Sequence, residues 1–261
     1  MTMLSRNRLD KANFAVSERN SVIRLAVVGA VGRLGLQIAA LAATDARFCL
    51  SALLVSPSSA LLGQTNLATG LNYVARLETS VDVIIDVSLP QVFAQTAKAV
   101  RESSAALVCG VTGFDARGLA AIAELAREHA VLHTHNFSRG VAVLKHLSRV
   151  AAELLGPSFD VGILDIHHRH KRDAPSGTAV TLEAALREGG ASNVQHSALR
   201  LGSVVGEHQV HFSGLTEEIT LTHRAADRAM FALGALDAAA WLAGKASGSY
   251  AIDAVFGIAK A

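Results

Sequence analysis

Arg24-Leu25-Ala26-Val27-Val28 runs directly into Gly29-Ala30-Val31-Gly32-Arg33-Leu34-Gly35, and behind the glycines Leu36, Ile38, Ala39, Ala40 and Leu41 carry a helical pattern. A buried strand, a glycine turn and a helix in that order commit the chain to a parallel crossover, because a second parallel strand is reached only by way of a helix. The rest of the first half obeys the same grammar. Strands are expected at Leu50 to Val55, Val81 to Val87, Ala105 to Cys109 and Val131-Leu132, with helices from Gln91 to Glu102 and from Leu119 to His129. Strands alternating with helices predict a doubly wound, Rossmann-like parallel sheet over residues 22–138. With 51% hydrophobic and 18% charged residues, the chain has ample material for the core this requires.

After Asn136 the pattern changes. A helix is expected from Val141 to Leu155, then a strand in which Phe159, Val161 and Ile163 alternate with Asp160 and Gly162. Further strands are expected around Val210-His211-Phe212 and Ile219 to Thr222, parted by Ser213-Gly214, which describes a smaller α+β unit with an antiparallel or mixed sheet. The Ala/Leu-rich stretch from Ala229 to Lys245 reads as a helix that packs back on the first unit.

The densest polar chemistry lies in His167-His168-Arg169-His170-Lys171-Arg172-Asp173-Ala174-Pro175-Ser176-Gly177-Thr178. In extended backbone His167, Arg169 and Lys171 would share one face. Pro175 and Ser176 then open a short helix through Val180, Leu182 and Leu186 that stops at Gly189-Gly190. Its N-terminal N–H groups and the neighbouring cations suit an anion, foremost a carboxylate. A metal site is disfavoured, because His167 and His168 would point to opposite sides of a strand and Arg169 and Lys171 repel a dication. Catalytic histidines and satisfied structural ones both remain open on this segment alone.

The Gly29–Gly35 turn lets backbone N–H groups approach a pyrophosphate, although it reads G-x-x-G-x-x-G, with Ala30 or Val31 where a middle glycine is usual. The end of the second strand, Val55-Ser56-Pro57, lacks the acid that grips an adenosine ribose. Gly110-Val111-Thr112-Gly113-Phe114 and Asn136-Phe137-Ser138 follow the later strands, at the sheet edge where open α/β folds bind ligands.

Other function classes recede. A net charge of +2 with scattered cations does not describe a nucleic-acid surface. Residues 1–21, with Arg6, Arg8, Asp10, Lys11, Glu18 and Arg19, have no signal-peptide core and read as a loose extension. No apolar run approaches the roughly 18 residues of a membrane span, since Asp45 and Arg47 interrupt the best candidate. Cys49 and Cys109 sit in apolar runs and read as small core residues of a protein from the reducing cytoplasm.

Taken with Asp86-Val87-Ser88-Leu89-Pro90, Arg139-Gly140, Val205-Gly206-Glu207-His208 and Trp241 to Lys245, these words resemble those of the bacterial 4-hydroxy-tetrahydrodipicolinate (dihydrodipicolinate) reductases of lysine and diaminopimelate biosynthesis. The resemblance implies an NAD(P)H-dependent oxidoreductase acting on a cyclic dicarboxylate. In its terms residues 22–138 and 228–261 form the dinucleotide-binding domain, and residues 139–227 bind substrate and build a homotetramer. It implies that His167 is the general acid and Lys171 the cation beside it, with His168, Gly177 and Thr178 on the substrate. Gly29, Ala30, Val31, Gly32, Arg33, Leu34, Gly110, Val111, Thr112, Thr134, His135, Asn136 and Phe137 would hold the cofactor.

The chain departs from the family at Val55-Ser56, in a short Gly189–Gly202 region that keeps only Arg200 and Gly202 of the family's Arg/Gly loop, and at Arg139, where Val is common. Without an acid at Val55-Ser56 nothing repels a 2′-phosphate, and Arg33 with Ser56, Ser58 and Ser59 are candidate donors to one, so NADPH should serve at least as well as NADH. Two other readings are a paralogue that reduces a related cyclic imine or enamine carboxylate, and a non-catalytic dinucleotide sensor. The sensor would need neither His167 nor Lys171.

Overall fold

The computed structural model describes residues 22–258, so the expected extension over residues 1–21 lies outside the described residues. Strand β1 (Ile23–Val28) leads into helix α1 (Arg33–Ala42). There follow β2 (Phe48–Leu54), β3 (Tyr73–Val74), β4 (Val83–Asp86), α2 (Phe93–Ser103), β5 (Ala106–Cys109), α3 (Ala116–Glu128) and β6 (Ala130–His133). Then come α4 (Arg139–Leu155), β7 (Asp160–His167), α5 (Gly177–Glu188), β8 (Val194–Arg200), β9 (Gly206–Ser213) and β10 (Glu218–Ala225), and the described chain closes with α6 (Ala229–Leu242), β11 (Gly248–Tyr250) and α7 (Ile252–Val255).

Seven strands in the order β11-β6-β5-β4-β1-β2-β3 form a wholly parallel sheet. Helices cover both faces, which is why its strands read as continuous apolar runs and not as alternating ones. Along β1, Leu25 and Val27 enter one core with Ile38 of α1 and Leu236 of α6, while Ala26 and Val28 enter the other with Phe93 and Val100 of α2 and Leu125 of α3. The alanines of α6 let it settle against α1, β4, β5 and β6, and β11 then adds to the free edge of β6.

The second sheet has the order β10-β9-β7-β8, with β7 and β8 parallel and the other pairs antiparallel. Helices α4 and α5 cover one face around Leu144, Ile163, Leu182, Val210 and Phe212. The sequence reading had no strand over β8. That strand stands at the sheet edge and only Val194 in it is buried, so its run carries no alternation to read.

Two local expectations need correction. Cys109 is buried as expected, with its thiol pushed up to about 12 by burial and then by Asp86, but Cys49 is exposed. The first half of β2 extends beyond β3, which pairs only with Leu53 and Leu54. Nor do His167, Arg169 and Lys171 share a strand face. β7 ends at His167, and the chain turns, the Arg169 N–H donating to the Gly202 carbonyl and the Lys171 N–H to the His168 carbonyl, both at 3.1 Å.

Candidate active site

The glycine turn gives the first half of the site. Gly29 has φ +79°, and a Cβ there would come within 2.9 Å of the Ser88 backbone. At Gly35 a Cβ would strike the Gly29 carbonyl oxygen, so this glycine serves close helix–strand packing. Gly32 is the N-cap of α1 and no side chain caps that helix, which leaves the first N–H groups, those of Arg33 and Leu34 among them, available to an anion. The side chains of Ala30, Val111 and Phe137 are buried in the core, whereas Val31, Thr112 and His135 are exposed. The loop beside Gly29 is held by Asp86, which accepts from the Ser88 N–H and hydroxyl and from Thr96 while burial raises its carboxyl. After β6, Thr134 Oγ1 donates to the Asn136 carbonyl at 3.0 Å. Asn136 Nδ2 reaches across to Thr178 Oγ1 at 3.2 Å, joining a candidate cofactor residue to a candidate substrate residue.

The second half is built on β7 and the start of α5. Ser176 caps α5, its hydroxyl accepting from the Ala179 N–H, so among the described residues the N–H groups of Gly177 and Thr178 remain free. His167 ends β7 and is only 8% exposed. Burial, then the charge of Lys171, lowers its imidazole below the ordinary value, with Arg200 adding to them and Asp165 pulling the other way. Lys171 Nζ lies 2.8 Å from Asp173 Oδ2.

In sequence, Arg200 and His208 stand only among the words of the resemblance, and no residue behind His167 carries a role there. Asp165, 1% exposed, accepts from Arg200 Nη1 at 2.6 Å and from the Ser176 N–H at 2.7 Å, and its Oδ1 lies 3.4 Å from His167 Nδ1. Burial would raise its carboxyl, but the Ser176 N–H and Arg200 outweigh that and hold it below the ordinary value. His208 on β9 meets His167 edge to face at 5.1 Å, lies 3.3 Å from Ser176 Oγ through Nε2, and is held down at about 4, chiefly by burial. His223 on β10 stacks behind it at 6.3 Å. The i−2 spacing of Asp165 and His167 on an alternating strand was the available signal for the first of these; Arg200 and His208 come from different strands and were marked only by the family resemblance, and His223 had none.

Between the halves lies a cleft of about 750 Å³ lined by Arg33, His168, Arg169, His170, Ser203 and Arg228, among others. Among the described residues no carboxylate lines it, so it is a cationic cleft suited to phosphates and carboxylates. Arg33 lines it from the first half and His168 from the second. The hydroxyls of Ser56 and Ser58 lie 2.9 Å apart on an exposed turn beyond β2. Among the described residues no cluster of His, Cys, Asp or Glu is arranged to hold a metal, and no helix is long and apolar enough to cross a membrane.

Residues 23–137 match the family model for the dihydrodipicolinate reductase N-terminus and residues 140–256 the model for its C-terminus. The chain belongs to the dihydrodipicolinate reductase family. It is 42% identical over 238 residues to the 4-hydroxy-tetrahydrodipicolinate reductase of Xanthomonas euvesicatoria pv. vesicatoria (strain 85-10), covering 89% of this chain and 97% of that one. It is 38% identical over 264 residues to that of Anaeromyxobacter dehalogenans (strain 2CP-C), covering 90% and 98%. The dipicolinate-bound dihydrodipicolinate reductase from Paenisporosarcina sp. TG-14 superposes with a TM-score of 0.75 over 88% of this chain and 98% of that chain, at 22% identity, a likeness of fold.

Proposed function

We propose that the chain reduces 4-hydroxy-tetrahydrodipicolinate with NAD(P)H and a proton to tetrahydrodipicolinate, the 4-hydroxyl leaving as water, using His167 as general acid. The observation that carries this is a buried imidazole beside Lys171, set against the free N–H groups at the start of α5 and next to a cationic cleft, in a chain of this family. Residues 22–138 and 228–258 form the cofactor half and residues 139–227 the substrate half.

The uncapped start of α1 and the cradle at Gly29, which a Cβ would fill, fit a dinucleotide pyrophosphate, with Arg33 beside it. Gly110 to Thr112 and Thr134 to Phe137 border the same sheet edge. When bound, the reduced nicotinamide supplies a hydride to a conjugated ring carbon of the substrate. The protein's own part is to hold and neutralise. Gly177 and Thr178 grip one carboxylate through N–H groups and a hydroxyl, and His168 supplies a further polar contact from the cleft wall. His167 turns Nδ1 toward Asp165, which leaves Nε2 to deliver the proton, and Lys171 stabilises the charge that develops.

Because no carboxylate stands at Val55-Ser56-Pro57 to repel a 2′-phosphate, NADPH serves at least as well as NADH. The uncovered face of the second sheet, where Leu199 is 43% exposed, joins subunits into a homotetramer. Two free cysteines, one of them exposed, fit the reducing cytoplasm. His167→Gln tests the central assignment: kcat falls by roughly 10²–10⁴-fold with little change in cofactor affinity. Near-normal turnover would remove His167 from the mechanism.

A further inference from the structure

Behind His167 lies a set of buried and half-buried groups that do not line the cleft, and Asp165 is their hub. Its carboxylate spends one oxygen on Arg200 and His167 and the other on the Ser176 N–H. Arg200 in turn donates through Nη2 to the Asp173 carbonyl at 2.6 Å, in the loop that carries Lys171. One carboxylate therefore touches the proposed acid, the capping residue of the substrate-gripping helix and, through one guanidinium, the loop of the neighbouring cation.

We propose that Asp165 and Arg200 are a positioning pair, which selects the nitrogen that His167 presents to the substrate and keeps the acid, the start of α5 and the Lys171 loop in one register. The proposal rests on the reading of His167 as the general acid. A merely structural ion pair would hold these segments in place but would not govern when His167 is protonated. Groups from several elements face that ring. Lys171 from the loop, itself paired with Asp173, and Arg200 from β8 both disfavour its charged form. His208 from β9 lies edge-on with His223 of β10 behind it, both depressed by burial. Asp165, on its own strand β7, favours the charged form. Removing Asp165's charge and removing Arg200's charge should thus act on the imidazole in opposite directions.

The experiment measures the alkaline limb of the kcat–pH profile together with the NMR titration of ¹⁵N-labelled histidine, His167 being assigned by its loss in His167→Gln. In Asp165→Asn, which keeps an acceptor for the Ser176 N–H, both midpoints move to lower pH by about one unit. Asp165→Glu, which keeps the charge, restores them. In Arg200→Met both move to higher pH. If kcat falls in Asp165→Asn and Arg200→Met with the NMR midpoint unmoved in both, or if both variants move it the same way, the positioning role is overturned. Should Asp165→Asn not fold, Arg200→Met decides alone, and an unmoved or lowered NMR midpoint overturns the proposal. A moved NMR midpoint with an unmoved kcat limb upholds the pair and instead removes His167 as the acid.

Discussion

Lowering the pH from 7 to 5 should destabilise this protein by about 2 kcal/mol through His208 alone. His208 is 4% exposed on β9, and among the described residues its buried Nδ1 has no hydrogen-bond partner. Burial first, then the neighbouring His167, lowers its value from 6.5 to about 4. The folded protein therefore keeps the ring neutral where the unfolded chain already binds a proton. Stability due to this site is full above the unfolded value, declines as pH falls through the window between about 6.5 and 4, and declines no further below it. Two-state linkage with those values gives a loss of about 2 kcal/mol between pH 7 and 5, and at most about 3 kcal/mol at still lower pH. Burial of His167 and His223 depresses those rings too and adds in the same direction, so the test is a difference. Equilibrium urea unfolding of the parent and of His208→Gln, each at pH 7 and pH 5, isolates the term. Gln carries a neutral amide near Ser176 Oγ and cannot titrate. The variant should lose about 2 kcal/mol less than the parent over this interval. Equal losses in both proteins would show that His208 is protonated in the folded state at pH 5 and that its burial does not hold it neutral.

Three further outcomes follow from the site. On the proposed reading, in which the hydroxyl holds a group that does not react, Thr178→Val should raise KM for the dicarboxylate more than it lowers kcat; a loss confined to kcat would contradict this role. Parallel fluorescence titrations should show NADPH binding at least as tightly as NADH, and NADH bound about tenfold more tightly would refute the cofactor reading. Light scattering at micromolar concentration should report a tetramer, and a monomer alone would remove the open face of the second sheet as a subunit contact.

Most of the parallel sheet was legible in the sequence because strands buried on both faces must be apolar throughout, and those runs are punctuated by glycine and by helical periods. The helix that Pro175 and Ser176 open was legible for a similar local reason. The two-residue β3, the exposed β8 and the short β11 were not, because a strand at a sheet edge or with few buried residues carries no pattern. Arg139 illustrates the same limit. It stands out in sequence only as a departure from its relatives, whereas in the fold it pairs with Asp237 of α6 at 2.9 Å and lies over the Phe256 ring at 5.1 Å.

By itself the sequence determined the two kinds of sheet, the glycine turn at the start of α1 and the segment in which imidazole, ammonium and helix start lie within a few residues of one another. Those features depend on neighbours along the chain, where dihedral preference, side-chain period and capping act. Tertiary structure alone decided that the strand stops at His167, that Arg33 and His168 line one cleft, and that Asp165, Arg200 and His208 from three strands close around one imidazole. Burial and Coulomb interaction depend on distance in space. The state of His167 is accordingly set by its burial and by Arg200 from another strand, as well as by its chain neighbours Lys171 and Asp165.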